Sequence, residues 1–338
     1  MTDAGPPTGF RKWWADRRWK AGDRVDRMGR WLLLHAPRAA RAYARLLIGR
    51  RHRPRLFPGW TFGHEYYIAR RWLALRRGAL WEAALERNLV VPLTVPWYGG
   101  TRVEVTLGND HSLCLYVAGS FEPNEFAFLD RLLRPGMTFV DIGANEGLFS
   151  LFAARRVGAA GRVVAVEPSS RERRQLEGNI GRNRLANVTV VPHALGSRAG
   201  SARLHIAAKL HGGHNTFGDF VHDGASAVGS EEVPVETLDA LAQRLALGRV
   251  DAVKIDVEGA ELKVLDGGRD LLRTARPVLL IEANEEALQR QNASTAGMIA
   301  LLRELGYAIR VFSGRTGDVE PLAEGGSLSP NIVAVPIG

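Results

Sequence analysis

Short apolar runs recur at residues 138–142, 162–167, 188–191, 250–257 and 277–283, separated by stretches of helical period. Runs that are apolar on both faces are what parallel strands need when helices cover them on two sides. The pattern predicts an α/β doubly wound sheet. Two later stretches, 307–312 and 331–336, are expected to close that sheet as a hairpin-like pair. Upstream, 102–107 and 112–117 alternate around Gly108-Asn109-Asp110-His111 and read as a β-hairpin; a helix from about 124 to 133 follows, closed by Pro135-Gly136.

Before residue 97 the period is that of short helices. Ala39, Ala42, Tyr43, Leu46 and Leu47 fall on one stripe, with Arg38, Arg41 and Arg45 opposite, which predicts an amphipathic basic helix. Ile68, Trp72 and Leu75, flanked by arginine pairs, repeat the theme.

Charge sharpens this division. The 338 residues carry a net +9, but residues 1–100 hold 20 Lys and Arg against 7 Asp and Glu, a net of +13, and all eight tryptophans. The expected organisation is therefore a basic, Trp/Arg-rich helical extension over 1–100 and a main domain over 101–338. Tryptophan beside arginine suits the headgroup layer of an anionic membrane, so the extension is a candidate for peripheral membrane contact. The alternatives are a helical cap with solvated arginines, or a grip on nucleic acid phosphates, the lesser candidate. No run approaches the roughly 18 apolar residues of a membrane span, and residues 1–10 lack a signal-peptide core, so the expected location is cytoplasmic. The single cysteine, Cys114, excludes a disulfide scaffold.

The strongest chemical signal is 139–147, a buried strand running through Asp141, Gly143, Asn145, Glu146 and Gly147 into an apolar helix. Glycines at such a turn let backbone N–H groups approach a ligand over the helix start. Gly143 and Gly147 are not arranged as the pyrophosphate fingerprint, and Asp141 would repel a pyrophosphate but suits an ammonium or sulfonium. The second strand ends at Glu167, where a carboxylate can accept two hydrogen bonds from a ribose diol. The third leads into His193-Ala194-Leu195-Gly196, with room for a flat base at Ala194.

In the fourth strand, the period of two puts Lys254, Asp256 and Glu258 on one face, opposite Val253, Ile255 and Val257. Three ionisable groups on a central strand are explained by a ligand crevice at the carboxyl ends, which Glu282 and Asn284 would also face. A structural ion pair is the alternative. His211 and His214, in a polar loop, are candidate bases or surface residues, and no zinc pattern is present.

The runs 139–147 (FVDIGANEG), Val166-Glu167-Pro168, Ala194-Leu195-Gly196 and above all 253–261 (VKIDVEGAE), with Leu265 and Gly267, resemble the FkbM family of S-adenosylmethionine-dependent methyltransferases. The resemblance covers about 101–338. It implies a seven-stranded class I methyltransferase (Rossmann-like) fold and O-methylation of hydroxyls on sugars, glycans, lipids or secondary metabolites. Asp141, Gly143, Asn145 and Gly147 would surround the methionine part of the cofactor, Glu167 the ribose and Ala194 the adenine edge. Asp256 and Lys254 would lie beside the sulfonium and the acceptor hydroxyl.

The expected base is Asp256 or Glu258, acting directly or through His214, with Lys254 orienting the carboxylates. A metal-free site is preferred over one in which Asp256, Glu282 and Asn284 hold a divalent cation. RNA methylation through the basic segment and a non-catalytic protein on a retained fold are the competing functions.

Overall fold

The structure is a computed structural model that describes residues 27–48, 71–207 and 227–338. The chain divides into two compact units, Met1–Asn124 and Glu125–Gly338. The division falls 24 residues beyond the position expected from charge, because 102–118 pairs and packs with preceding segments.

In the first unit, α1 (Arg27–His35), α2 (Pro37–Leu46) and α3 (Arg71–Glu86) precede an antiparallel pair, β1 (Pro92–Pro96) and β2 (Arg102–Thr106). The expected hairpin between 102–107 and 112–117 does not form. Asn109 accepts from Ser112 N and Ser112 Oγ accepts from Asn109 N, a capping box that starts a helical turn. Leu113–Ala118 continues as a π-helix buried on every side, a burial its unbroken apolar run permits. β2 pairs instead with the preceding segment, where a strand replaces the expected helical pattern.

The amphipathic stripe of α2 is also displaced. Ala40, Ala44 and Leu47 are buried and Tyr43 half-buried, whereas Ala39, Ala42 and Leu46 are exposed with the arginines. Two polar anchors fix this rotation: Tyr116 Oη donates to Ala44 O at 3.1 Å, and buried Arg77 donates to Leu47 O at 2.7 Å.

Helix α4 (Pro123–Leu132) leads into the second unit. An eight-stranded sheet follows, in the spatial order β12-β11-β13-β10-β9-β3-β4-β5. Its strands are β3 (Thr138–Ile142), β4 (Arg162–Val166), β5 (Val188–Val191), β9 (Ala252–Ile255), β10 (Val278–Glu282), β11 (Tyr307–Phe312), β12 (Val319–Pro321) and β13 (Asn331–Pro336). β5, β4, β3, β9 and β10 run parallel; β13 is antiparallel to both β10 and β11. This is the doubly wound order expected, with β12 added as a three-residue edge.

Helices α5 (Leu148–Val157), α6 (Ser170–Asn183), α7 (Leu238–Arg244), α8 (Glu261–Asp266), α9 (Arg269–Thr274), α10 (Glu285–Arg290) and α11 (Thr295–Glu304) lie between the strands in sequence. Val140, Val253, Leu279 and Ile281 are wholly buried in the central core. The sequence pattern missed a three-stranded sheet of β6 (Ala194–Leu195), β7 (Gly200–Ala207) and β8 (Ala227–Glu236), ordered β6-β8-β7.

The order reverses between β3 and β9, so the chain leaves these neighbours in opposite directions and opens a crevice at their carboxyl ends. Gly143 holds this point together. Its N–H donates to Val166 O, its φ is +79°, and a Cβ there would stand 1.8 Å from Asp256 O. Only glycine lets the two strand ends approach so closely.

Candidate active site at the carboxyl ends of the central strands

Parallel pairing sets Asp141 opposite Lys254, so both side chains leave the sheet on one face, beneath α5. Asp141 is fully buried: Oδ2 accepts from Ser150 Oγ at 2.5 Å, and Oδ1, which has no hydrogen-bond partner among the described residues, lies 4.0 Å from Lys254 Nζ. Burial pushes this carboxyl up, against the pull of Lys254 and the Ser150 hydrogen bond, and the Asp256 charge adds to the rise.

Lys254, itself buried, donates to Asp256 Oδ2 at 2.9 Å, and its ammonium stands 4.8 Å from the centre of the Phe149 ring. Phe149 stacks on Phe126 at 4.3 Å, which fixes the ring. The Asp256 side chain is 32% exposed, so one buried cation joins a deep acid to an acid that solvent reaches.

Glu258 does not extend this face. β9 ends at Ile255, and Glu258 sits in a turn with φ +54°, so the alternation expected to carry three ionisable groups stops at Asp256. The turn is held by Glu261, whose Oε1 accepts from Val257 N at 2.9 Å and Gly259 N at 3.1 Å. Burial, with the Asp256 charge, pushes Glu261 up to about 7. Sequence reasoning passed over this residue. Its signal was an acid in the first turn of a helix just beyond a glycine.

On the other side of β3, Glu167 bridges the two loops that leave β3 and β4. Oε2 accepts from Asn145 N at 2.9 Å and Oε1 from Ser169 N at 2.8 Å. Burial pushes it up to about 8, with the Glu172 charge adding to the rise; the two backbone donors and Arg173 oppose it. Each oxygen keeps a second lone pair. Asn145, at φ +50°, has a buried Oδ1 with no hydrogen-bond partner among the described residues. Gly147 starts α5 at φ +93°.

Beside Glu167, Ser169 Oγ donates to the buried Glu172, and Glu231 of β8 accepts from Ser170 N at 3.0 Å and Ser170 Oγ at 2.7 Å. Sequence reasoning did not single out Ser169, Glu172 or the Glu231 tie, which joins segments distant in the chain.

Of the other candidates, Ala194 is buried with Leu204, Ile206 and Val233 in the small sheet. Glu282 ends β10, and Asn284 Oδ1 caps α10 by accepting from Ala287 N at 3.2 Å. His211 and His214 lie outside the described residues. A depression of about 450 Å³ lined by residues of α8 and α11, with Ser197 and Arg269, shares none of these groups.

The described geometry thus brings Asp141, Lys254 and Asp256 together on one side of the glycine turn, and Asn145 and Glu167 on the other. Buried acceptors with spare lone pairs suit a polar, partly cationic ligand.

The sequence model of the methyltransferase FkbM domain matches residues 141–309, half of the chain. The AMB antimetabolite synthetase AmbE of Pseudomonas aeruginosa is 29% identical over 215 residues, 53% of this chain and 10% of that protein. This chain therefore corresponds to about a tenth of that relative's length. A ribosomal RNA large subunit methyltransferase E of Sorangium cellulosum is 51% identical over 39 residues, 12% of this chain and 18% of that protein. A crystal structure of a methyltransferase FkbM from Methylobacillus flagellatus KT is 15% identical, with a TM-score of 0.38, covering 65% of this chain and 52% of that one. At that similarity the fold rests on the strand order found in this chain. With half its length matched by the domain, the chain belongs to the FkbM family of S-adenosylmethionine-dependent methyltransferases.

Proposed function

We propose that this chain methylates a hydroxyl oxygen on a small-molecule, glycan or lipid acceptor. The observation that carries the reading is the Lys254–Asp256 pair, a partly exposed carboxylate held by a buried ammonium at the carboxyl end of β9. The residues present fit the cofactor. Glu167 retains lone pairs for two ribose hydroxyls, and Asn145 Oδ1 and Asp141 Oδ1, which have no hydrogen-bond partner among the described residues, are acceptors for the methionine part. Gly143 and Gly147 let the intervening turn pack close against Asp256 O and Leu176, where a Cβ would stand 1.8 and 2.5 Å away. The Ala194 methyl packs in the small sheet, so the backbone there would border the adenine.

When bound, S-adenosylmethionine supplies a methyl group activated by its sulfonium. Asp256 accepts the acceptor hydroxyl's proton as general base, a role that contributes typically 10²–10⁴-fold. Lys254 fixes the orientation of that carboxylate and balances the charge of two neighbouring acids. Holding the acceptor oxygen in place supplies more than proton transfer does. Glu258 and His214 are the remaining candidates for proton transfer. In the divalent-cation version, Asn284 would have to give up the cap of α10, which costs that version one of its three oxygen ligands.

The test is calorimetric titration with the cofactor, then incubation with methyl-labelled cofactor and hydroxylated acceptors, beside Asp256→Asn. One cofactor per chain is expected, with label on oxygen and turnover by the variant at least about 100-fold slower at saturating cofactor. Full turnover by Asp256→Asn would remove the assigned base, and label on nitrogen or carbon would remove O-methylation. Failure to bind the cofactor would leave a non-catalytic protein on this fold.

RNA methylation is the second reading. It draws on the 39-residue match to a ribosomal RNA methyltransferase and on the +13 of the first hundred residues. Substrate binding that falls steeply with salt would favour it.

A further inference from the structure

The exposed positions of α1 and α2 combine groups that a folded protein normally separates. On α2 the buried stripe is Ala40, Tyr43, Ala44 and Leu47. At 100° per residue, the opposite side reads in angular order Arg41, Arg45, Arg38, Ala42, Leu46, Ala39: a row of cations beside a row of apolar groups. Leu46 is 81% exposed. The side chains of Arg38, Arg41 and Arg45 are all exposed, and none makes a hydrogen bond or ion pair with another described residue.

On α1, Leu33 is buried, while Trp31 is 56% exposed and Leu34 42%. The Trp31 ring rests against exposed His35, 5.2 Å between centroids. Only Ala36 separates the two helices, and they pack on each other.

We infer that the exposed side of α2, together with the exposed apolar residues of α1, is a docking surface for an anionic lipid bilayer. Three occupants compete for such a face, and charge and apolarity together select one. A second copy of the chain would bring two strongly basic segments together, each from a region of net +13. A nucleic acid would answer the arginines but would leave Leu46, Leu34 and the Trp31 ring in water. A bilayer carrying acidic headgroups answers both: phosphate and carboxylate groups meet Arg38, Arg41 and Arg45, while Trp31, Leu34 and Leu46 enter the acyl boundary. The inference goes beyond the methyl-transfer reading and does not depend on it.

The test is flotation of the full chain with vesicles of phosphatidylcholine, with and without phosphatidylserine, at physiological salt. Three variants accompany it: Arg38→Ser with Arg41→Ser and Arg45→Ser; Trp31→Ser with Leu46→Ser; and, as control, Arg198→Ser with Arg203→Ser. All change exposed positions, and circular dichroism checks their folding.

Binding only to the vesicles with phosphatidylserine is expected. It should weaken about fivefold for each arginine removed, and about tenfold or more for the apolar pair, with the control unchanged. The inference is overturned if the wild type stays with buffer, or if the apolar pair changes nothing. It is equally overturned if an oligoribonucleotide binds more tightly than vesicles, or if Leu46→Ser dissolves a dimer seen by sedimentation. Cofactor binding on the same samples should stay constant; its absence throughout would count against methyl transfer and leave the membrane result standing.

Discussion

Replacing Gly143 with alanine should prise apart the centre of the sheet. The new methyl would lie 1.8 Å from Asp256 O and 2.9 Å from its carbonyl carbon, where ordinary contact begins at 3.4 Å, and both obstacles are backbone. The ends of β3 and β9 must therefore separate, at the expense of the Asp256 N–H bond to Ile142 O, now 3.1 Å. A side chain at φ +79° costs about 1–2 kcal/mol, the crowding about 1–3 and the lost hydrogen bond about 1. The total is about 3–6 kcal/mol, and at about 2–4 °C per kcal/mol for a unit of this size, Tm should fall by roughly 6–24 °C. Gly178→Ala is the control of opposite sign: exposed in α6 with nothing within 4 Å of its added methyl, it should gain about 0.5–1 kcal/mol. Thermal melts by circular dichroism measure both, and cofactor titration well below the transition tests whether the displaced strand end still supports the site. A Gly143→Ala protein with unaltered Tm and cofactor affinity would refute the claim that this contact sets the crevice.

Glu167, pushed up to about 8 from 4.5, is protonated at neutral pH in the unliganded chain, so its contribution is full below pH 4.5 and is lost as pH rises through about 8. On the proposed role of Glu167, gripping the ribose diol favours the carboxylate, so cofactor binding near pH 7 should release up to one proton per chain, read as a buffer-dependent calorimetric enthalpy that Glu167→Gln abolishes. Lys254→Met should destabilise by about 3–5 kcal/mol in denaturant titration, because it leaves Asp141 uncompensated and fully buried, and adding Asp141→Asn should restore most of the loss. Asn109→Ala should cost the first unit about 1 kcal/mol through its lost cap, with no change in cofactor binding.

Apolar run length fixed the parallel strands well: β3 and β5 fall where the runs predict, and the glycine turn after β3 sits where a strand meets a helix. What the pattern missed has identifiable causes. A fully apolar π-helix and a buried strand look alike over six residues, and the Asn109–Ser112 cap that decides between them was read as a turn. A stripe of alanines leaves the rotation of α2 open by about one residue; the Tyr116 and Arg77 hydrogen bonds settle it from 30 or more positions away. In the site, Asp141, Lys254 and Asp256 were legible because charges in an apolar strand are costly without a reason. Ser150 and Glu231 were not, since a serine under a strand and an acid on a distant hairpin carry no local mark.

The eighth strand has a bearing on how this protein can be handled. β12 pairs with β11 over only three residues and ends in Pro321, with Glu320 exposed beside it; Arg131 ties the preceding loop down through Asp318 at 2.7 Å. Such a short, charged, proline-ended margin keeps sheets from adding foreign strands. Trimming 313–330 to make a smaller enzyme would leave the apolar border of β11 bare and invite precipitation, whereas lengthening the same connection would be tolerated.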